Sequence, residues 1–188
     1  NVDFKTALHE LAREAGVIIP EYSKNQQITQ DRQRHYKLLT ALTQKFHAIL
    51  QSDDAWFVRE YLKNRNLTSD SIAHFQLGYA PKRNLIPELV DEGYKLADLL
   101  DLGIAYKTDG GQIRSRFYNR LMFPIADTSG QVVGFGARAL DKHRAKYVNS
   151  SDSMLFKKSN ILYGWHHAKK SIRQTEKVVV VEGYIDVI

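Results

Sequence analysis

The sequence predicts a mixed fold of the α+β or α/β class: a mainly helical first part, a β-rich basic part, and the opening helix and strand of an α/β domain. Three observations predict it. Apolar residues recur at helical spacing through the first hundred positions. Beyond Ile104 the period changes to two. Near the end, Val178, Val179, Val180 and Val181 form an unbroken β-branched run. The expected domains are 1–105, 106–164 and 165–188.

Asp3 is placed to cap a first helix whose Ala7, Leu8, Leu11, Ala12 and Ala15 fall on one stripe, ended by Gly16 and Pro20. A polar link follows. Tyr36, Leu39, Leu42, Phe46, Ile49 and Leu50 then trace a longer helix, and Ser52 caps a third through Trp56, Phe57 and Tyr61 to about Asn64. Thr68 or Ser69 opens a short helix over Ile72 to Phe75, and Leu77-Gly78-Tyr79-Ala80-Pro81 breaks it. Helical pieces at Leu85 to Asp91 and Leu96 to Leu102 stop at Gly93 and Gly103. Asp109-Gly110-Gly111 turns a hairpin. Leu121 to Ile125 and Gln131 to Phe135 are strands, with Pro124 marking an edge or a bulge. Trp165 to Thr175 reads as a helix with a basic outer face, and Val178 to Val181 as a strand buried on both faces of a parallel sheet.

The net charge of +6 is concentrated. Residues 107–173 hold 13 basic and four acidic side chains, whereas the rest of the chain holds 14 and 17. Phe117, Tyr118, Phe123, Phe135, Tyr147, Phe156 and Tyr163 are interleaved there, as a groove that neutralises a phosphate backbone and stacks bases requires; a solvated surface over core aromatics is the plainer alternative. With no cysteine, disulfides, thiolate zinc sites and cysteine nucleophiles are excluded within the chain. No apolar run reaches the roughly 18 residues of a membrane span, and the first residues have no signal-peptide pattern, so the expected location is cytoplasmic, without membrane contact. The opening Asn1 in place of Met suggests a piece of a longer protein.

Chemistry is expected where the valine run ends, in Glu182-Gly183-Tyr184-Ile185-Asp186. Ligands of open α/β sheets sit at the carboxyl ends of strands. Gly183 permits a tight turn and close approach by another group. Glu182 and Asp186 are hard oxygen ligands of the kind that suits Mg²⁺, although two acids also favour a helix N-terminus without any metal.

These residues carry a resemblance. VVVVEGYID (178–186) resembles the opening strand and acidic motif of a TOPRIM domain, in the form carried by bacterial replicative primases of the DnaG type. Four upstream segments resemble successive primase segments in order: FKTALHELAREAG (4–16), YLKNRNLTSDSIAHFQLGYAP (61–81), RFYNRLMFPIADTSGQVVGFGARAL (116–140) and KYVNSSDSMLFKKSNILYG (146–164). Ala137 and Asn66 stand where the family pattern has glycines, and Tyr118 where many members have a basic residue.

The resemblance implies synthesis of short RNA primers from ribonucleoside triphosphates on single-stranded DNA. Arg138, Lys146 and Lys158 match the family's basic cluster, Arg116 and Arg120 its basic motif, and Arg65 a further basic position; they would hold template and triphosphate. Tyr147 and Asn149 would pack or hydrogen-bond beside that cluster. Glu182 would be a Mg²⁺ or Mn²⁺ ligand or a proton-transfer group, supported by Asp186, with the remaining ligands beyond Ile188. Zn²⁺ is expected only in an N-terminal domain outside this chain, and a replicative helicase as the partner of a C-terminal one. The segment alone is expected to be a monomer, inactive in priming yet weakly able to bind single-stranded DNA.

Three rivals stand beside this reading. Gly134-Phe135-Gly136-Ala137-Arg138-Ala139 fits a loose dinucleotide fingerprint, but Asp141-Lys142-His143-Arg144 supplies no apolar helix after it. A non-catalytic single-stranded nucleic-acid module would use the basic segment without the acids. Another TOPRIM enzyme, a topoisomerase or recombination protein, would not carry the upstream segments. His166 and His167 are adjacent and face different sides of a helix, which opposes a shared metal site.

Overall fold

The computed structural model describes residues 4–17, 22–141 and 145–188. The chain forms two compact units, Asn1–Arg34 and His35–Ile188, and the expected boundaries after residues 105 and 164 both fall inside the second.

In the first unit, α1 spans Phe4–Glu14. It ends as expected at Gly16, whose φ of +66° lets the Val17 amide reach the Ala12 carbonyl at 2.8 Å and close the last turn. Asp3 and Pro20, assigned to its two ends, lie outside the described residues. The helix α2 spans Tyr22–Gln51, so the expected polar link is helical. Lys, Gln and Arg are good helix formers, and Asp31 accepts from Gln27 at 3.0 Å and pairs with Arg34 at 2.7 Å. Residues 26–30 are exposed, so they carry no apolar stripe for periodicity to detect.

In the second unit, Leu38, Leu39, Leu42, Phe46 and Leu50 of α2 are buried, as the stripe requires. Ser52 does not cap with its side chain: its hydroxyl donates back to the Ile49 carbonyl at 2.7 Å, and a 3-10 turn, Asp53–Ala55, leads into α3, Trp56–Lys63. Thr68 is the cap of α4, Ser69–His74, its Oγ1 accepting from the Ser71 amide at 3.1 Å. The breaker at Gly78–Ala80 is itself a strand, β1. A side chain at Gly78 would stand 2.5 Å from Cβ of Phe46, so only glycine lets β1 lie this close to α2. The helices α5, Ile86–Asp91, and α6, Leu96–Asp101, end at Gly93 and Gly103 as expected.

β2, Ala105–Lys107, and β3, Ile113–Ser115, form the expected hairpin. The main sheet is antiparallel with order β1-β4-β5-β6, where β4 is Arg120–Ala126, β5 is Val132–Ala139 and β6 is Tyr147–Asn149. Pro124 lies past the last β1–β4 partner, Met122, and beside a register shift at Ile125/Ala126, so its missing amide costs no ladder bond to β1. The Gly134–Ala139 fingerprint is the body of β5, with no helix opening there; Lys142, His143 and Arg144 lie outside the described residues.

Both faces of the sheet are covered. Met122, Phe135 and Ala137 pack with Leu39, Leu42, Phe46 and Phe117 on one side, and Leu121 and Phe123 pack with Val58, Leu62 and Tyr79 on the other. Phe117, Phe123 and Phe135 are fully buried, each contributing roughly 1.5–3 kcal/mol of hydrophobic stabilisation.

The helix α7, Trp165–Thr175, has the expected limits. The expected buried strand does not form. Val178–Val181 belongs to none of the sheets, and Val179 is 86% exposed. A parallel strand is stabilised by neighbours on both sides and by helices on both faces, and none of the described strands pairs with this run. A four-residue helix, α8, Tyr184–Val187, follows. Among the described residues no helix is long and apolar enough to cross a membrane.

Candidate nucleic-acid and nucleotide site

Pairing across the sheet decides which side chains share a face. Leu121 opposes Arg138 and Arg138 opposes Tyr147; Phe123 opposes Gly136 and Gly136 opposes Asn149. Directly opposed residues point to the same side. One face therefore presents Arg138, Tyr147 and Asn149 together.

Aromatic rings thread the cations on this face. Nη1 of Arg138 donates to the Tyr147 hydroxyl at 2.6 Å, and the guanidinium lies 5.5 Å from the Tyr61 ring centroid. Arg65, one helical turn from Tyr61, lies 5.6 Å from the same ring, and the Lys146 ammonium 6.0 Å from the Tyr147 ring. Such contacts hold a cation without cancelling its charge. Tyr61 was read from sequence only as part of α3 and given no role, although its spacing of four from Arg65, just past the end of α3, was the available signal.

Not every expected cation joins this group. Lys158 opens a short 3-10 turn, its amide donating to Asp152 at 3.1 Å. Arg116 is half-buried, and its Nε has no hydrogen-bond partner. Arg120 is only 4% exposed, and its Nη1 donates to the Ala145 carbonyl at 2.9 Å. β4 turns Arg120 inward, where it braces the backbone before β6.

The acidic motif packs onto the same face through Tyr184. Its ring stacks on Phe123 (centroids 4.9 Å, 15°), meets Tyr163 edge-on at 4.7 Å, and occupies the space that a side chain at Gly136 would fill. Its hydroxyl donates to Asn149 Oδ1 at 2.8 Å, and burial pushes the phenol up to about 12, so it keeps its proton. Tyr184 and Gly136 were quoted within motifs but given no role by sequence; their complementarity is three-dimensional.

A cleft of about 600 Å³ results, lined by Tyr147 and Asn149 on one side and by the valine run, Glu182 and Asp186 on the other. Glu182 and Asp186 are exposed. Gly183 fits the expectation of close approach: a side chain there would stand 2.6 Å from Oδ2 of Asp186. Among the described residues no third carboxylate or imidazole completes a ligand set with these two acids. The one three-residue set, His35, Asp98 and Asp101, lies elsewhere, with His35 Nε2 3.2 Å from Asp98 Oδ1 in the core.

His166 and His167 serve packing: His166 fills the space beside Gly130, and the His167 ring lies 4.5 Å from His74 and 4.6 Å from Phe75. Burial, with His74 and His166 nearby, holds His167 below its ordinary range.

Residues 45–169 match the family model described as the DNA primase catalytic core, N-terminal domain. The chain belongs to this DnaG-type primase family. The matched span precedes the acidic motif, so membership rests on the helical and basic parts and does not favour another TOPRIM enzyme. A DNA primase of Helicobacter pylori is 39% identical over the whole chain, which covers 33% of that relative. The Aquifex aeolicus primase structure, comprising zinc-binding and RNA polymerase domains, matches with TM-score 0.74 and 30% identity over 97% of this chain and 44% of that one. A DnaG primase catalytic domain bound to single-stranded DNA matches with TM-score 0.77 and 35% identity over 84% and 52%. The chain thus spans about a third of the length of the curated primase it matches end to end.

Proposed function

We propose that this chain is a segment of a bacterial DNA primase that positions single-stranded template and ribonucleoside triphosphates for synthesis of an RNA primer. The single observation that carries the reading is the shared cleft, in which a sheet face bearing Arg138, Tyr147 and Asn149 meets Glu182 and Asp186. Lys146, Lys158, Arg116 and Arg65 extend the positive field along which a phosphate backbone would lie. Arg138 would offset charge on the triphosphate, Asn149 and Tyr147 would keep the cleft wall in register, and Arg120 would brace that wall from behind.

The exposed pair Glu182 and Asp186 fits Mg²⁺ or Mn²⁺, since Mg²⁺ is commonly held by only one or two carboxylates and retains several waters. The bound ion would neutralise developing charge on the triphosphate oxygens. Glu182 would hold it, with Asp186, kept close by Gly183, as the supporting acid.

The domains at 1–105, 106–164 and 165–188, a monomeric state, a helicase partner and a cytoplasmic location belong to the same proposal. So does a zinc-binding domain elsewhere in the parent, by analogy with the Aquifex aeolicus primase. The test is Glu182→Gln in the full primase that carries this segment. Primer synthesis is expected to be lost while single-stranded DNA binding is retained. Unimpaired priming would overturn the enzymatic reading.

A further inference from the structure

We infer that Tyr184 is a positioning residue, a pin seated in a socket made by Gly136, Phe123 and Asn149 that fixes the acidic loop against the cationic sheet. This rests on the functional reading above and goes beyond it, because it assigns the geometry of the site to side chains that meet neither phosphate nor metal.

The valine run preceding the acids is exposed and pairs with none of the described strands, so within the described residues it is the motif's own side chains that anchor Glu182. Within the motif, Tyr184 supplies a large aromatic anchor two residues from each acid. Its ring rests on three independent surfaces: flat on Phe123, edge-on to Tyr163, and in the gap left by the missing side chain at Gly136. Its hydroxyl adds a directional bond to Asn149, the residue paired with Gly136 across the ladder. Stacking sets the height above the sheet, and the hydroxyl sets rotation and register. Because Gly136 and Asn149 each lie two residues from Arg138 or Tyr147 on their strands, the pin locates the acids relative to the cations. Displacement by about 1 Å of a group that must meet its substrate in a narrow geometry can reduce a rate about 100-fold.

The experiment uses the full primase with Tyr184→Ala, Tyr184→Phe, Gly136→Ala and the Gly136→Ala/Tyr184→Ala double variant. Primer-extension kcat and KM, single-stranded DNA affinity, and hydrogen exchange of residues 177–188 against 120–139 are measured. Tyr184→Ala and Gly136→Ala are expected to lower kcat about 10- to 100-fold, with NTP KM and DNA affinity within about threefold of wild type. Exchange should accelerate in 177–188 alone. Tyr184→Phe, which keeps the ring, should recover most of kcat, and the double variant should be no worse than the poorer single. Wild-type kcat in Tyr184→Ala, acceleration spreading into 120–139, or multiplicative losses in the double variant would each overturn the inference. Loss of priming in Glu182→Gln beside normal Tyr184→Ala would sink the pin alone; normal priming in Glu182→Gln would sink the functional reading first.

Discussion

Arg138 and Tyr147 face each other across the β5–β6 ladder and are joined there by a 2.6 Å hydrogen bond from guanidinium to phenol. The bond leaves the positive charge intact while restricting where it points. Tyr61, on α3, packs beside the same guanidinium, so helix and sheet together fix one cation next to Tyr147, which lines the cleft. A flexible lysine cannot replace this arrangement, because it lacks the planar fork that stacks and donates at once.

Arg138→Ala is therefore expected to weaken single-stranded DNA binding and to reduce the slope of log affinity against log salt by about 0.7–1, the loss of one phosphate contact. Arg138→Lys should keep the slope yet lose affinity. Anisotropy titrations of a labelled oligonucleotide at several salt concentrations measure both. A slope unchanged by Arg138→Ala would remove this residue from the phosphate-binding set.

Gly183→Ala tests the acidic loop. Its φ of −121° is ordinary for any residue, so the substitution does not strain the backbone through φ. The added methyl would instead stand 2.6 Å from Oδ2 of Asp186 and push that carboxylate away. Primer synthesis by the full primase is expected to fall at least about 10-fold, with the melting temperature nearly unchanged. Normal activity would show that Asp186 works equally well when displaced.

Much of the fold was legible because it is written in local patterns. The stripe from Leu39 to Leu50, the glycine stops at 93 and 103, and the turn at Asp109-Gly110-Gly111 all depend on residues near one another in sequence. Three features were not. Residues 26–30 of α2 are all exposed, so only propensity and local side-chain pairs mark them as helical. Gly78–Ala80 was read as a breaker because its strand character comes from pairing with residues 120–122. Val178–Val181 has strong strand propensity, but propensity does not supply a partner strand. The site divides the same way: the family resemblance singled out Arg138 and Asn149, and the end of the valine run pointed to Glu182 and Asp186, whereas the burial of Arg120 and the fit of Tyr184 to Gly136 depend on the alternation of two strands and on packing between distant segments.

Thr68 offers a test of local structure that should leave the site untouched. Its hydroxyl satisfies the Ser71 amide at the start of α4. Thr68→Ala is expected to cost about 1 kcal/mol in urea denaturation of the chain. Thr68→Ser should recover most of that. Equal stability of the three proteins would mean that water satisfies the Ser71 amide as well as the threonine does.

Asp127 makes stability depend on pH in a predictable direction. Burial alone would raise its pKa, but the Ser129 hydroxyl, the Gln131 and Ser129 amides and the Tyr36 hydroxyl together hold it below the ordinary 3.8. A carboxylate with a depressed folded pKa contributes stability above its unfolded pKa and loses it as pH falls through the folded value, because the unfolded chain takes up the proton first. Asp127→Asn is therefore expected to lower the urea midpoint at pH 7, where wild type has the full charge-assisted bonds. The gap should narrow steadily as the pH falls below about 4, where wild type loses the same charge. Urea titrations of both proteins from pH 7 down to pH 3 measure this. A gap that stays constant across that range would mean that Asp127 stabilises the β4–β5 turn by shape and neutral hydrogen bonding, with no contribution from its charge.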